Sequence, residues 1–217
     1  MKKLENIIYE DNHLLVVNKP AGLLVQGDKT GDITLLEIAK QYIKEKYNKP
    51  GNVYLGLVHR LDRPASGVIV FARTSKSASR LSKQFREKTI DKKYVALVEG
   101  KIPETGTLKD NILRNGVTSK INQNGKPSEL RYKLIEYKNN ISKIKIDLIT
   151  GRHHQIRVQF ANHGNPILGD FRYGSKIKFG DRAIALHSYS LAINHPVKKE
   201  RMVFEFGGNL TAETLRR

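Results

Sequence analysis

The residue types best suited to chemistry sit in one short stretch, His59-Arg60-Leu61-Asp62-Arg63-Pro64-Ala65-Ser66, between two apolar runs. Guanidinium groups beside a carboxylate favour its ionised form, which suits Asp62 to nucleophilic or electrostatic work. The same pattern suits an Arg–Asp ion pair that braces a turn. A second segment, Gly151-Arg152-His153-His154-Gln155-Ile156-Arg157, crosses from a strand end into a helix start. Backbone N–H groups and basic side chains at such a place attract phosphate. The adjacent histidines invite a metal reading. Neighbours on a helix do not face one another, however, and no nearby cluster of carboxylates completes a ligand set. Phosphate contact or helix capping fits better, and no metal site is expected.

Lys and Arg number 39 against 21 Asp and Glu, a net charge of +18 with a pI near 10.0. So large an excess predicts a polyanionic partner. The run from Arg73 to Lys93 alone holds eight basic and two acidic residues. A solvated helix face would account for that run, but the overall charge favours a nucleic-acid track. Tyr94 follows Lys92-Lys93. Such a Tyr packs half-buried with its hydroxyl in water, or stacks on a base or accepts a proton. The chain has no Cys, which excludes a disulfide framework, thiolate metal sites and cysteine nucleophiles. It also fits a reducing compartment. No apolar run approaches the roughly 18 residues a membrane span requires, and the first residues lack the apolar core of a signal peptide. A soluble, cytoplasmic protein is expected.

The elements that must position these residues can be read from periodicity. Apolar positions Leu35, Ile38, Ala39, Tyr42 and Ile43 predict a helix over 34–46, with Asp32 and Thr34 as candidate caps. A second helix runs from Thr74 or Ser75 to about Lys88, with Lys76, Arg80 and Lys83 on one side and Ala78, Leu81 and Phe85 on the other. Residues 14–17, 54–58 and 67–72 read as buried strands. Residues 93–99, 129–137 and 143–149 alternate as half-buried antiparallel strands do. The polar stretch 114–128, with two Gly and Pro127, reads as a long exposed loop. A short helix over 154–162 and strands near 183–193 and 202–206 complete an α+β pattern without regular βαβ alternation.

Together these segments resemble the RluA-type pseudouridine synthases. His59-Arg60-Leu61-Asp62 with Ser66-Gly67 resembles that family's signature around its catalytic aspartate. Lys93-Tyr94-Val95-Ala96-Leu97-Val98-Glu99-Gly100 is similar to its tyrosine motif, and the segment 151–157 to its arginine motif. Leu168-Gly169-Asp170 with Tyr173-Gly174, Lys19-Pro20-Ala21-Gly22 and Leu186-His187-Ser188 extend the likeness over nearly all of the chain. Two positions depart from it: Ala65 and His153 stand where the family commonly has Thr.

The resemblance implies a mixed, mainly antiparallel central sheet with flanking helices and loops around a catalytic cleft. It implies a single catalytic domain over 1–217, with no room for an N-terminal S4 domain. The implied activity is isomerisation of uridine to pseudouridine in ribosomal RNA, transfer RNA or both, without metal or organic cofactor. Asp62 would attack the ribose C1′ or remove a ribose proton, Arg152 would pair with Asp62, and Tyr94 would stack on the uracil. Arg60 would fill the space of the flipped base or hold a phosphate. Lys76, Arg80, Lys83, Lys120, Lys126, His154 and Arg157 would grip RNA. A monomer with no obligate protein partner is expected. Two other classes compete: a non-catalytic RNA binder, which has no use for a carboxylate in a cationic cleft, and a metal-dependent nuclease, which lacks clustered carboxylates.

Overall fold

In this computed structural model, which describes residues 3–208, eleven strands and three α-helices follow one another along the chain. They are β1 (Ile7–Glu10), β2 (Leu14–Lys19), α1 (Leu35–Lys46), β3 (Gly56–Leu57), β4 (Ser66–Ala72), α2 (Ser75–Glu87), β5 (Asp91–Glu99) and β6 (Thr105–Asn115). Then come β7 (Thr118–Ile121), β8 (Lys126–Lys138), β9 (Ile141–Leu148), α3 (Gln155–Asn162), β10 (Leu186–Asn194) and β11 (Arg201–Glu205). A 3-10 turn, Phe171–Tyr173, lies between α3 and β10. The expected α+β fold with a mainly antiparallel sheet is present. The chain divides into two compact units. One takes the chain up to Ile90 and again Ser190–Gly207, the other takes Asp91–Tyr189.

In the first unit β1, β2 and β4 pair antiparallel in that order, β3 pairs with the end of β4, and the last residues of β10 pair with β11. The run Leu14-Leu15-Val16-Val17 is apolar without alternation because both faces of the strand are covered. Leu14 and Val16, with Val68 and Val70 of β4, pack against Leu81 of α2 and against Leu191, Ile193 and Phe204. Leu15 and Val17, with Ile69 and Phe71, pack against Leu35, Ala39 and Ile43 of α1. Each of these large side chains contributes about 1.5–3 kcal/mol on burial. Thr34 is the cap of α1: its side chain accepts from the Glu37 N–H while the Glu37 carboxylate accepts from the Thr34 N–H. Thr74 caps α2, and Lys88 ends it in the left-handed region.

In the second unit the strand order is β5-β9-β8-β6-β7, all antiparallel. Tyr94 of β5 lies opposite Ile146 of β9, which lies opposite Tyr132 of β8, so the three share one face. Phe160 of α3 meets Tyr132 edge-on on that face, at 5.6 Å between ring centroids. Tyr132 also lies over Gly106, where an added Cβ would stand 2.5 Å from the phenol.

Two expectations are corrected. The stretch 114–128 is no loop: Thr118–Ile121 forms β7 against Ile112–Asn115 of β6, and β8 already begins at Lys126. Backbone pairing needs no apolar side chains, so a polar hairpin left no hydrophobic pattern to read. The strand expected over 54–58 shrinks to Gly56–Leu57. β1 and β6 were not anticipated; burial in β6 alternates, but of its inward positions 106, 108, 110 and 112 only Leu108 and Ile112 are apolar, so the hydrophobic pattern is broken. Among the described residues, no helix is long and apolar enough to cross a membrane.

Candidate active site

Asp62 sits in the connection between β3 and β4, half-buried, with Leu61 and Ala65 buried on either side as anchors. The Ala65 N–H donates to the Asp62 carbonyl at 3.1 Å, which closes a turn around the carboxylate. Arg60 is exposed. Arg63 points elsewhere: its Nε donates to the Gly22 carbonyl at 3.0 Å and its Nη2 pairs with Asp32 at 2.5 Å. The Gly22 N–H returns a bond to the Arg63 carbonyl at 2.8 Å, and its φ of 80° is left-handed, which glycine adopts without strain. His59 accepts the Val70 N–H on Nε2 at 3.0 Å and stacks on Phe85 at 4.8 Å.

Sequence reasoning assigned no role to Lys19, which the structure buries completely. Its Nζ donates to the carbonyls of Pro20 at 3.0 Å, Leu23 at 2.8 Å and Arg63 at 3.1 Å, one acceptor for each hydrogen of an ammonium. Burial pulls its pKa from 10.5 down to about 7, while Asp62 pulls it up and Arg63 pushes it further down. Lys19 thus laces the turn after β2 to the Asp62 loop and sets a titratable amine in the field of the carboxylate. The signal was present in Lys19-Pro20-Ala21-Gly22, but only folding supplies the partner 44 positions away.

Lys76, Arg80 and Lys83 are exposed on α2, as expected. Arg80 is partly engaged, its Nη1 donating to the Pro196 carbonyl at 2.6 Å, and Lys83 lies 3.8 Å from Glu87.

In the second unit Tyr94 is 8% exposed, more buried than the half-buried position expected. Arg152 lies in the turn before α3. Its N–H donates to Gln155 Oε1 at 3.0 Å and its Nε to the Pro127 carbonyl at 3.0 Å, which sets it against the start of β8, next in the chain to Lys126. Gln155 is buried and also bonds Thr150 and the Glu129 carbonyl, so the turn is built from the inside. His154 takes the N-cap position with a left-handed φ of 54° but makes no side-chain cap bond; its Nδ1 lies 2.8 Å from the Tyr173 hydroxyl. His153 stacks on it at 3.8 Å. Lys120 and Lys126 are exposed.

Arg157, expected to contact RNA, is instead interior. Its side chain is 4% exposed and grips Asp170, 1% exposed, through Nε at 2.7 Å and Nη2 at 2.8 Å. Position 157 falls on the inner side of α3, which the motif's spacing alone did not settle. Besides Lys19, the sequence reading left Ser119, Asp170 and Tyr173 without roles, although the last two stand in a quoted family block. Among the described residues no group of three or more His, Cys, Asp or Glu side chains could hold a metal ion.

A family model described as RNA pseudouridylate synthase matches residues 13–162, which take in Asp62, Tyr94 and Arg152. The chain belongs to this family. Within it, the chain is 38% identical over 205 residues to a ribosomal large subunit pseudouridine synthase C of Vibrio vulnificus, covering 90% of this chain and 63% of that protein. It is 36% identical over 217 residues to an uncharacterized RNA pseudouridine synthase of Aquifex aeolicus, covering 92% of this chain and 68% of that one. The chain thus spans a little under two thirds of the Vibrio relative. The resemblance read from the motifs, to RluA-type synthases, is borne out. The solved structure of human RNA pseudouridylate synthase domain containing 1 superposes with a TM-score of 0.76 at 26% identity, over 96% of this chain and 85% of that one. Human RNA pseudouridylate synthase domain containing 4 gives 0.78 at 23% identity, over 93% and 87%, a likeness of fold.

Proposed function

We propose that this protein isomerises uridine to pseudouridine in RNA, with large-subunit ribosomal RNA as its substrate. One observation carries the reading: the family match, over residues 13–162, takes in Asp62, Tyr94 and Arg152. Large-subunit RNA is preferred over transfer RNA because the Vibrio relative is named for the ribosomal large subunit.

The chemistry asks for few groups. The target nucleotide leaves its stack at a cost of a few kcal/mol, and the net charge of +18 supplies the phosphate attraction that offsets it. Asp62, as carboxylate, attacks the ribose C1′ or removes a ribose proton; either route breaks the bond from C1′ to N1 of uracil. The uracil turns and its C5 bonds to C1′ as the Asp62–C1′ bond breaks, or as Asp62 returns the proton it took from the ribose; the C5 proton then leaves and N1 takes one up. Tyr94 stacks on the uracil and Arg152 serves the carboxylate as its cation. Arg60, exposed beside Asp62, fills the vacated stack or holds a phosphate. Two features support this use of Asp62: its loop is pinned by Leu61, Ala65 and Lys19, and the residue is only half-buried.

The test is incubation of the purified protein with large-subunit RNA transcripts and transfer RNA in EDTA, followed by mapping of pseudouridine. The reading expects pseudouridine at defined positions of the ribosomal transcript. Binding without modification would favour a non-catalytic RNA binder, and cleavage that returns only with added metal would favour a nuclease.

A further inference from the structure

The β6–β7 hairpin projects a basic, polar end: Arg114, Asn115, Gly116, Val117 and Lys120 are all exposed. A two-stranded arm of this kind is marginal by itself, so its disposition depends on what it touches. β7 and the turn before it are clasped at three points. The Ser119 N–H donates to the Tyr173 hydroxyl at 2.8 Å. Ser119 Oγ donates to the His153 carbonyl at 2.7 Å and lies 3.0 Å from His153 Nδ1. Arg172 Nη1 donates to the Val117 carbonyl at 3.2 Å.

Tyr173 joins these contacts. Its oxygen receives the Ser119 N–H on one side and meets His154 Nδ1 at 2.8 Å on the other, so one phenol ties β7 to the turn that carries Arg152, His153 and His154. The ring is itself fixed. The Arg157 guanidinium lies over it at 5.0 Å, and Arg157 is locked by the two-bonded, buried pair with Asp170. A buried ion pair adds little net stability because desolvation offsets its attraction. What this one supplies is a ring that cannot wander. Alternation along β7 does the rest: with Ser119 turned inward, Lys120 must face out, opposite Leu113.

We infer that Tyr173 is a positioning residue for RNA, its hydroxyl clasping the basic β6–β7 hairpin to the entry turn of α3 so that Lys120 and Arg114 are presented in one fixed arrangement with Arg152. The inference rests on the RNA-modifying reading above.

The test compares the whole protein with Tyr173→Phe, which keeps the ring over Arg157 and removes only the hydroxyl, and with Ser119→Ala, which cuts the neighbouring bridge. Three quantities are read: hydrogen exchange of the Ser119 amide in Tyr173→Phe, equilibrium RNA affinity, and KM against kcat. Tyr173→Phe should speed Ser119 exchange and raise the RNA Kd and KM roughly three- to tenfold, the scale of one lost hydrogen bond, with kcat within about twofold. Ser119→Ala should weaken RNA binding to a similar degree. Faster exchange with unchanged Kd would overturn the inference, as would unchanged exchange. So would a fall in kcat alone. Should Tyr173→Phe fail to fold, wild-type affinity in Ser119→Ala would overturn it. If the wild type makes no pseudouridine, the functional reading fails by itself, and exchange and Kd still decide the clasp.

Discussion

Lys19 buries its amine against three carbonyls and within the field of Asp62, and burial brings its pKa down to about 7. The folded value lies below the unfolded one, so between about pH 7 and 10 the unfolded chain holds the extra proton and this group makes stability rise with pH. Lys19→Met, similar in length and without charge, should lose that rise in urea-unfolding series across the window; an unchanged slope would show that Lys19 is not the group responsible. The Arg157–Asp170 pair makes the opposite kind of statement. Arg157→Ala strands a buried carboxylate and should cost about 3–5 kcal/mol in unfolding free energy, whereas an exposed RNA-contacting arginine would cost almost nothing. The sequence located both residues but not their partners. Asp170 is 13 positions beyond Arg157 and the Arg63 carbonyl is 44 beyond Lys19, so neither pairing is visible in local spacing.

Helices were legible because their signals are local. The Thr34 capping box and the Lys76, Arg80 and Lys83 face of α2 need only a 3.6-residue period and a cap. β4 was legible because both its faces are buried and its residues are nearly all apolar. β7 was not, since its reason to be extended is the pairing with β6, and its buried member is a serine. Replacing Lys76 and Lys83 by Glu together should weaken RNA binding and lower the log–log salt slope by about 1.5 to 2, as expected if each lysine displaces a counterion. A slope equal to the wild type's would make this face ordinary solvated surface. Arg80, tied to the Pro196 carbonyl, should matter less to that slope than its sequence position suggests.

Across the whole molecule, a charge of +18 is spread over a chain that lacks Cys, and among the described residues there is no cluster of three metal-binding side chains. The family match spans a carboxylate, a phenol and a guanidinium, those of Asp62, Tyr94 and Arg152. Charge gives attraction to any RNA. Asp62 is the group that would turn binding into isomerisation, and replacing its carboxylate by an amide separates the two. In the direct measurement, wild type and Asp62→Asn are incubated with large-subunit RNA in EDTA, and pseudouridine and RNA affinity are quantified side by side. The account predicts that Asp62→Asn forms no detectable pseudouridine while its Kd and salt dependence stay within a few-fold of the wild type. An Asp62→Asn protein that still modifies uridine at a rate near the wild type's would contradict it.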